Sequence, residues 1–207
     1  MGRTGILGGT FNPIHLGHLL IGQAAAEAFG LDKVLLLPCS VSPFKLGATG
    51  LAAGDDRLEM VRLSAAGDPL FEPCALDLER GGVSYAIDTV QALRERHPEE
   101  AFSFIIGMDA LRELSHWHRV GEMLKLCEVL TVERPGLDVR VAAESLDFPA
   151  DVRDTLLANV IRGRSFDVSS SEIRRRIAEG KTIRYLVCPE VEQYIRARGL
   201  YVATKEA

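Results

Sequence analysis

Hydrophobic and polar positions alternate along the chain with two periods, one typical of strands and the other of helices. Short apolar runs that end near glycine or proline predict strands, and longer runs with apolar residues three or four apart predict helices. The predicted strands are 4–7, Lys33–Leu37, Leu70–Ala75, Ala101–Ile106, Glu128–Glu133 and Val160–Ile161. The predicted helices are Leu19–Phe29, Arg57–Ala66, Ile87–Arg96 and Phe148–Ala158. This alternation predicts an α/β protein with a parallel sheet covered by helices on both faces.

The C-terminal fifth of the chain, from Ser169, has a helical pattern only. From Ser169 onward it forms two predicted helical pieces, separated by Gly180–Tyr185. A length of 207 residues predicts one domain, 1–207, with 169–207 as a small helical C-terminal part. In sheets of this class, ligands bind beyond the carboxyl ends of the strands, where the strand order reverses. Segments that follow a strand or open a helix are therefore the first candidates for function.

Composition narrows the class of partner. The net charge is −5, with 47% hydrophobic and 26% charged residues, so we expect no nucleic-acid binding and no membrane segment. The N-terminus enters a strand without a basic region, so we expect no secretory signal. The four cysteines are scattered and show no metal-ligand spacing, which is typical of buried thiols in a cytoplasmic protein. The sequence does not determine the oligomeric state, and a homo-oligomer is possible.

The most informative segment is GGTFNPIHLGH over 8–18, between the first strand and the first helix. Gly8 and Gly9 have no Cβ atoms, so backbone N–H groups can approach a ligand closely. The helix that follows directs its positive end to the same place, which favours a phosphate. His15 and His18 are three residues apart and can both donate to a polyphosphate.

An alternative interpretation of this segment is structural. Asn12 would be the N-cap of the helix, Pro13 its first residue, and the two histidines incidental surface residues. Capping does not explain the Gly-Gly-Thr-Phe before it or the His-x-Gly-His pattern after it. The segment also lacks the Lys-Ser/Thr of the P-loop and the glycine spacing of dinucleotide-binding turns.

A second segment, SSSEIR over 169–174, opens the C-terminal helical part. Ser169 with Glu172 three residues later is a capping box. The remaining first-turn N–H groups and the serine hydroxyls are also suited to a phosphate. Arg174 lies one turn after Ser170 and can form a two-pronged contact with a phosphate. Both interpretations stay open from the residues alone.

These two segments resemble the motifs of nucleotidylyltransferases, T/G-x-F-x-P-x-H-x-G-H and I-S-S-T/S-x-I-R. The resemblance implies a Rossmann-like, doubly wound parallel sheet of the nucleotidylyltransferase type. It also implies an ATP site formed by the following residues: Gly8, Gly9, Thr10, Phe11, His15, His18, Gly107, Asp109, Ser169, Ser170 and Arg174.

Four further segments resemble one family in particular, the bacterial nicotinate-nucleotide adenylyltransferases. Pro38–Lys45 is similar to the family's P-x-x-x-P-P-H-K loop, Ser84–Thr89 to S-Y-T-x-D-T, Ile105–Leu111 to I-I-G-x-D-x-L, and Glu133–Gly136 to its R-x-G turn. Trp117 falls at the family's tryptophan. The implied mononucleotide site consists of Lys45, Tyr85, Thr89, Trp117 and Arg134.

Several of these residues also have a purely structural interpretation. Asp109 either accepts the ribose hydroxyls of ATP or caps the helix after Gly107. Trp117 either stacks on a pyridine ring or packs in the core. Thr89 either contacts the mononucleotide or bonds its own helix backbone. Arg57 is interpreted as a surface helix charge outside the site.

The resemblance implies adenylyl transfer from ATP to nicotinate mononucleotide, which gives deamido-NAD and pyrophosphate. Charge at the transferring phosphoryl group would be stabilised by His15, His18, Lys45 and Arg174, and Mg²⁺ would be carried on the ATP phosphates, with no metal site in the protein. At the position of Ala86 the family commonly has a residue with a hydroxyl group. Because of this departure, nicotinamide mononucleotide or another phosphate acceptor remains an alternative substrate. A non-catalytic nucleotide-binding regulator is the more distant alternative.

Overall fold

A parallel sheet forms the centre of the structure, a computed structural model that describes residues 2–47, 49–133, 145–163 and 167–202. Within these residues the strands are β1 (Arg3–Gly9), β2 (Lys33–Pro38), β3 (Phe71–Pro73), β4 (Ala101–Gly107), β5 (Glu128–Glu133) and β6 (Val160–Arg162). Neighbouring strands pair in parallel, in the order β3-β2-β1-β4-β5-β6. This order is doubly wound, as predicted, and it reverses between β1 and β4.

Helices connect the strands and continue beyond the last one. They are α1 (Leu16–Phe29), α2 (Gly54–Ala65), α3 (Leu76–Arg80), α4 (Ala86–Arg96), α5 (Met108–Arg112), α6 (Val120–Leu126), α7 (Ala150–Ala158), α8 (Ser170–Ala178) and α9 (Pro189–Arg198). In the part of the chain that the structure describes, short 3₁₀ turns also lie at Pro43–Lys45 and Leu114–His116.

The predicted strands and the long helices are confirmed, with shifts at their ends. The helix α1 begins at Leu16, three residues before the prediction, and α2 begins at Gly54. The short helices α3 and α6 were not predicted, because five and seven residues show too little of a helical period. The helix expected after Gly107 is α5.

The core has two parts, one on each face of the sheet. Along β4, Ile105 packs into one part, whereas Phe104 and Ile106 pack into the other, as expected for side chains that alternate across a strand. The first part includes Met60 of α2 and Val191 of α9. The C-terminal helices therefore share a core with one face of the sheet.

All four cysteines, which lie within the described residues, are free thiols. Burial raises the pKa of each of them above its usual range, and that of Cys127 to about 12. They are therefore protonated packing residues at neutral pH. In the described part of the chain, no helix is both long and apolar enough to cross a membrane.

Candidate active site

A cavity of about 670 Å³ lies beyond the carboxyl ends of β1, β2 and β4, where the strand order reverses. Most of the predicted site residues line it: Gly8, Gly9, Thr10, His18, Lys45, Tyr85, Thr89, Gly107, Asp109 and Trp117. The lining also includes His118 and Asp77, which the sequence did not single out. We call Gly8–Thr10 with His18 the turn side of the cavity, and Tyr85 with Trp117 and His118 the aromatic side.

Other predicted site residues lie outside the cavity lining. These are Phe11, His15, Ser169, Ser170 and Arg174. The predicted contact from Arg134 falls outside the described residues.

The turn after β1 is closely packed from below. Phe11 is 1% exposed and has a positive φ of 47°. A Cβ atom on Gly9 would lie 2.9 Å from Cε1 of the Phe11 ring. Glycine at position 9 is therefore required by the packing of Phe11 as well as by any close approach of a ligand. The Phe11 ring also meets His18 edge-on, with centroids 4.9 Å apart.

The two histidines form a stacked pair, with ring centroids 3.7 Å apart. His15 is the N-cap residue of α1 and is 3% exposed, and its backbone N–H donates to Nδ1 of His18 at 3.2 Å. Because Nδ1 of His18 accepts that hydrogen bond, the neutral ring carries its proton on Nε2. Of the pair, His18 lines the cavity, and His15 lies behind it.

The alternative interpretation, in which Asn12 caps α1 and Pro13 begins it, is wrong, since the cap is His15. Asn12 is 2% exposed, and its side chain is used elsewhere. Its Oδ1 accepts from the backbone N–H of Ala52 at 2.9 Å and from the hydroxyl of Tyr201 at 2.8 Å. Asn12 therefore ties the turn to the segment before α2 and to the C-terminal end of the described chain.

Arg57 of α2 was predicted to be a surface charge, and this is wrong. The residue is 4% exposed, and its guanidinium lies below the turn. It donates to the carbonyl oxygens of Thr10, Cys39, Ser40 and Ala52. The missed signal is helical spacing, because Arg57 lies three and four residues before Met60 and Val61, which are fully buried.

The loop after β2 connects the two sides of the cavity. Its Lys45 Nζ donates to Oγ1 of Thr10 at 3.3 Å, on the turn side. The backbone N–H of Ser40 donates to Oγ of Ser84 at 2.9 Å, one residue before Tyr85. Phe44 of this loop is 64% exposed, and its ring centroid lies 6.2 Å from that of Trp117.

The aromatic side is built from ring contacts. Trp117 is half-buried and meets Phe104 edge-on at 5.8 Å, while Tyr85 and His118 lie 4.3 Å apart. Nε1 of Trp117 is buried and has no hydrogen-bond partner among the described residues. The arrangement offers a flat ligand two aromatic surfaces of partly exposed side chains.

A buried carboxylate, Asp77, lies below the aromatic side and is 3% exposed. Burial raises its pKa, although the hydroxyl of Thr89, which donates to it at 2.8 Å, and Arg80 at 3.2 Å act in the opposite direction. The backbone N–H of Thr89 donates to the carbonyl of Tyr85. This amide is therefore part of the helix, and the first-turn amides that lack an acceptor within α4 come earlier in the helix.

Asp109 is exposed toward the cavity, and the N-cap of its helix is Gly107. The alternative that Asp109 caps this helix is therefore wrong. A Cβ atom built on Gly107 would have no neighbour within 4 Å. The space in front of this glycine is open and is available to a ligand.

The C-terminal segment bonds to the turn from outside the cavity. Ser169 caps α8 by accepting from the N–H of Glu172 at 3.1 Å, which confirms the capping interpretation. The Ser170 hydroxyl donates to the carbonyl of Pro13 at 2.9 Å, and the Arg174 guanidinium donates to that of Asn12 at 2.8 Å. A role of this segment at a phosphate stays a prediction.

A group of three side chains within metal-binding distance of one another occurs at His97, Glu99 and Glu100. They precede β4 and so lie at the edge of the sheet opposite to the cavity. Of these, His97 and Glu99 are exposed, and Glu100 is bonded to Thr4 and Lys33. The group is a surface cluster apart from the candidate site.

The sequence comparisons agree on one family. Residues 6–176 match the model of the cytidylyltransferase-like family. A protein of Pelobacter propionicus called a probable nicotinate-nucleotide adenylyltransferase is 41% identical, over 96% of this chain and 98% of its own. A protein of the same description from Halalkalibacterium halodurans is also 41% identical, over 97% and 92% of the two chains.

Solved structures with the same fold include two of Plasmodium falciparum nicotinic acid mononucleotide adenylyltransferase. The one complexed with APC has a TM-score of 0.72 and 16% identity, and the one complexed with NaAD has a TM-score of 0.73 and 18% identity. Both alignments cover 97% of this chain and 98% of the solved chain. At this identity the likeness concerns the fold.

Proposed function

We propose that this chain, which belongs to the nicotinate-nucleotide adenylyltransferase family, transfers the adenylyl group of ATP to nicotinate mononucleotide. The products are deamido-NAD and pyrophosphate, in NAD biosynthesis. The observation that carries the proposal is that one cavity has both a glycine-rich turn on one side and the aromatic side beside it. The first suits phosphates and the second a pyridine ring.

The reaction is an in-line displacement at the α-phosphorus of ATP. An oxygen of the mononucleotide phosphate forms the new P–O bond, and the bond to pyrophosphate breaks. The attacking phosphate is already ionised at neutral pH, so the step needs no protein base. Catalysis then consists of positioning and of stabilising the charge that develops on the transferring phosphoryl group and on pyrophosphate.

On the turn side, His18 is the principal donor to that charge. Its Nδ1 accepts from the backbone of His15, so Nε2 carries the proton that can be donated. Lys45, held near Thr10, supplies a mobile positive charge. His15 acts by fixing the ring of His18 and not by direct contact. Arg174 acts at the ATP phosphates in this proposal, after release of its present contact with Asn12.

The mononucleotide would occupy the aromatic side. Trp117 stacks on the pyridinium ring, which adds a cation–π attraction to the contact area. The nicotinate carboxylate would accept from first-turn amides of α4, with Arg134 as a further proposed contact. Asp109 would accept the ribose hydroxyls of ATP beside the open space in front of Gly107.

The metal in this proposal is Mg²⁺, bound to the ATP phosphates. The turn side and the neighbouring Lys45 offer mainly imidazole, amide and ammonium groups, which are poor ligands for a hard cation that prefers oxygen. This set of donors fits a metal that arrives on the substrate. When bound, Mg²⁺ would reduce the negative charge of the phosphates.

A second candidate substrate, nicotinamide mononucleotide, is favoured by two observations. Ala86 brings no hydroxyl group to the site, and the carboxylate of Asp77 lies in the cavity lining.

The backbone N–H groups nevertheless favour the acid. They satisfy a carboxylate but leave the NH₂ group of an amide facing other donors. Such a mismatch costs about 1–3 kcal/mol, so we expect roughly tenfold to hundredfold preference for the acid.

Pyrophosphate release tests the proposal. The protein is incubated with ATP, Mg²⁺ and either nicotinate or nicotinamide mononucleotide, and reactions without a mononucleotide are the controls. We expect release with the acid and a higher kcat/KM for the acid than for the amide. Equal or reversed values would overturn the nicotinate assignment. Absence of release with both would overturn adenylyl transfer to pyridine mononucleotides.

A cytoplasmic location belongs to the same proposal and is supported by the four free thiols.

A further inference from the structure

We propose that Arg57 is a positioning residue for the ATP phosphates, which it serves by holding the turn side and the loop after β2 in their binding arrangement. The inference rests on the proposed function for the identity of the ligand. Arg57 itself does not line the cavity. It acts through the backbone of residues that do.

The Arg57 guanidinium joins three segments that are distant in sequence. NH1 donates to the carbonyl of Thr10 at 2.9 Å and to that of Cys39 at 2.7 Å. NH2 donates to the carbonyl of Ser40 at 3.3 Å, and Nε to that of Ala52 at 3.2 Å. A planar fork of donors can satisfy four carbonyls in this way, whereas the single ammonium of lysine cannot.

Holding these carbonyls fixes the amides that follow them. In a trans peptide the N–H points away from the C=O of the same unit. Fixing the carbonyl of Thr10 therefore directs the N–H of Phe11 away from Arg57. The same rule is visible on the other segment, where Cys39 O faces Arg57 and the N–H of Ser40 donates to Ser84 on the far side.

The charge of Arg57 is also placed for an anion. The residue is 4% exposed, and no carboxylate of the described residues lies within 4.0 Å of its guanidinium nitrogens. The neighbouring Asp56 is instead bonded to Tyr194 and Arg198. A buried cation with only neutral partners attracts phosphates bound at the turn above it, because it is weakly screened there.

The test compares Arg57→Lys with Arg62→Lys, a control on the same helix. Arg62 is exposed, and among the described residues its ion pair is with Glu59, three residues away. For both variants we would measure the Kd of a non-hydrolysable ATP analogue by calorimetry, kcat, the KM values of both substrates, and the melting temperature. For Arg57→Lys we expect the Kd and the KM for ATP to rise by about tenfold or more, because charged hydrogen bonds are lost. The KM for the mononucleotide should change much less, and Arg62→Lys should resemble the wild type.

A purely structural role gives a different pattern. It would lower the melting temperature and the amount of active protein, and so the apparent kcat, but leave the Kd and KM for ATP unchanged. That result would overturn the proposal. If Arg57→Lys does not fold, the wild-type protein is used in an NMR titration that follows the Arg57 Nε–H resonance. A chemical-shift change on addition of the ATP analogue supports the proposal, and an unchanged resonance overturns it. Because ATP binding is measured without a mononucleotide, failure of the proposed transfer reaction would be seen separately, as wild-type protein that binds ATP but releases no pyrophosphate.

Discussion

The turn side and the aromatic side of the cavity are built in different ways. The turn side is held by hydrogen bonds from several segments, including those of Asn12 and Arg57. The aromatic side consists of ring contacts made by side chains that are half-buried or exposed, such as Trp117 and His118. Donors fixed in advance are suited to charge that develops during a reaction. Exposed rings are suited to binding a flat ligand. We therefore expect loss of a donor to the transferring phosphoryl group, on the turn side, to lower kcat, and changes on the aromatic side to raise the KM for the mononucleotide.

Replacing His18 by alanine should have the largest effect. The variant loses the Nε2–H donor, and removal of one such donor commonly lowers kcat by about a hundredfold or more. The KM for ATP should change much less. Steady-state kinetics measures both, and His97→Ala, an exposed histidine at the opposite edge of the sheet, is the matched control. Near-normal kcat in His18→Ala would mean that the imidazole is not at the reacting phosphate.

Replacing Trp117 by alanine should have a smaller effect, and on a different constant. Loss of the stacking surface is expected to raise the KM for the mononucleotide by roughly threefold to thirtyfold, from a cation–π contribution of about 0.5–2 kcal/mol. The KM for ATP should stay near the wild-type value, and Trp117→Phe should recover part of the loss. A fall in kcat with unchanged KM would remove the distinction between the two sides.

The buried carboxylate of Asp77 predicts a pH dependence of stability. Burial raises its pKa, so the folded protein keeps the proton at pH values where the unfolded chain, with an ordinary pKa of about 3.9, has released it. Stability therefore falls as the pH rises through that window. In Asp77→Asn this fall should be absent, so the free energy of unfolding should decrease less from pH 4 upward than in the wild type. Denaturant unfolding at several pH values measures it, with the exposed Asp154→Asn as control. Parallel profiles for wild type and Asp77→Asn would contradict the prediction.

The smallest effect is expected from Ala86→Thr. First-turn amides of α4 already offer the donors that a nicotinate carboxylate needs, so an added hydroxyl should leave the preference for the acid unchanged or increase it slightly. The readout is the ratio of kcat/KM for the two mononucleotides. A reversal of preference in the variant would show that the residue at this position, and not the backbone, selects the substrate.

The sequence was sufficient for the sheet and for most of the cavity lining, because both depend on local patterns. Strand periods that end at glycine or proline located β1 and β4, and the residues that follow them include Thr10 and Asp109. Helix starts were predicted less accurately, since α1 begins at Leu16 and not at Leu19. Asn12 and Pro13 have the residue types of an N-cap and a first turn, but the Asn12 side chain is bonded to Ala52 and Tyr201.

Long-range contacts could not be predicted in this way. Arg57 was interpreted as a surface charge because arginine is seldom fully buried. Its partners, among them Thr10 and Cys39, are carbonyls, which have no signature in the side-chain sequence. Asp77 was missed for a related reason, since its partner Thr89 is recognised only once α3 and α4 are placed side by side.

The most direct test of the two-sided cavity uses the only tryptophan of the sequence, Trp117. Its fluorescence, excited at the red edge of the indole band, is measured during separate titrations with nicotinate mononucleotide and with a non-hydrolysable ATP analogue. Stacking on the electron-poor pyridinium ring should quench the emission in the first titration. The quenching should be half-maximal at a concentration near the KM of the mononucleotide. The ATP analogue alone, bound at the turn side, should leave the emission nearly unchanged. Strong quenching by the ATP analogue, with none by the mononucleotide, would contradict the assignment of the two sides.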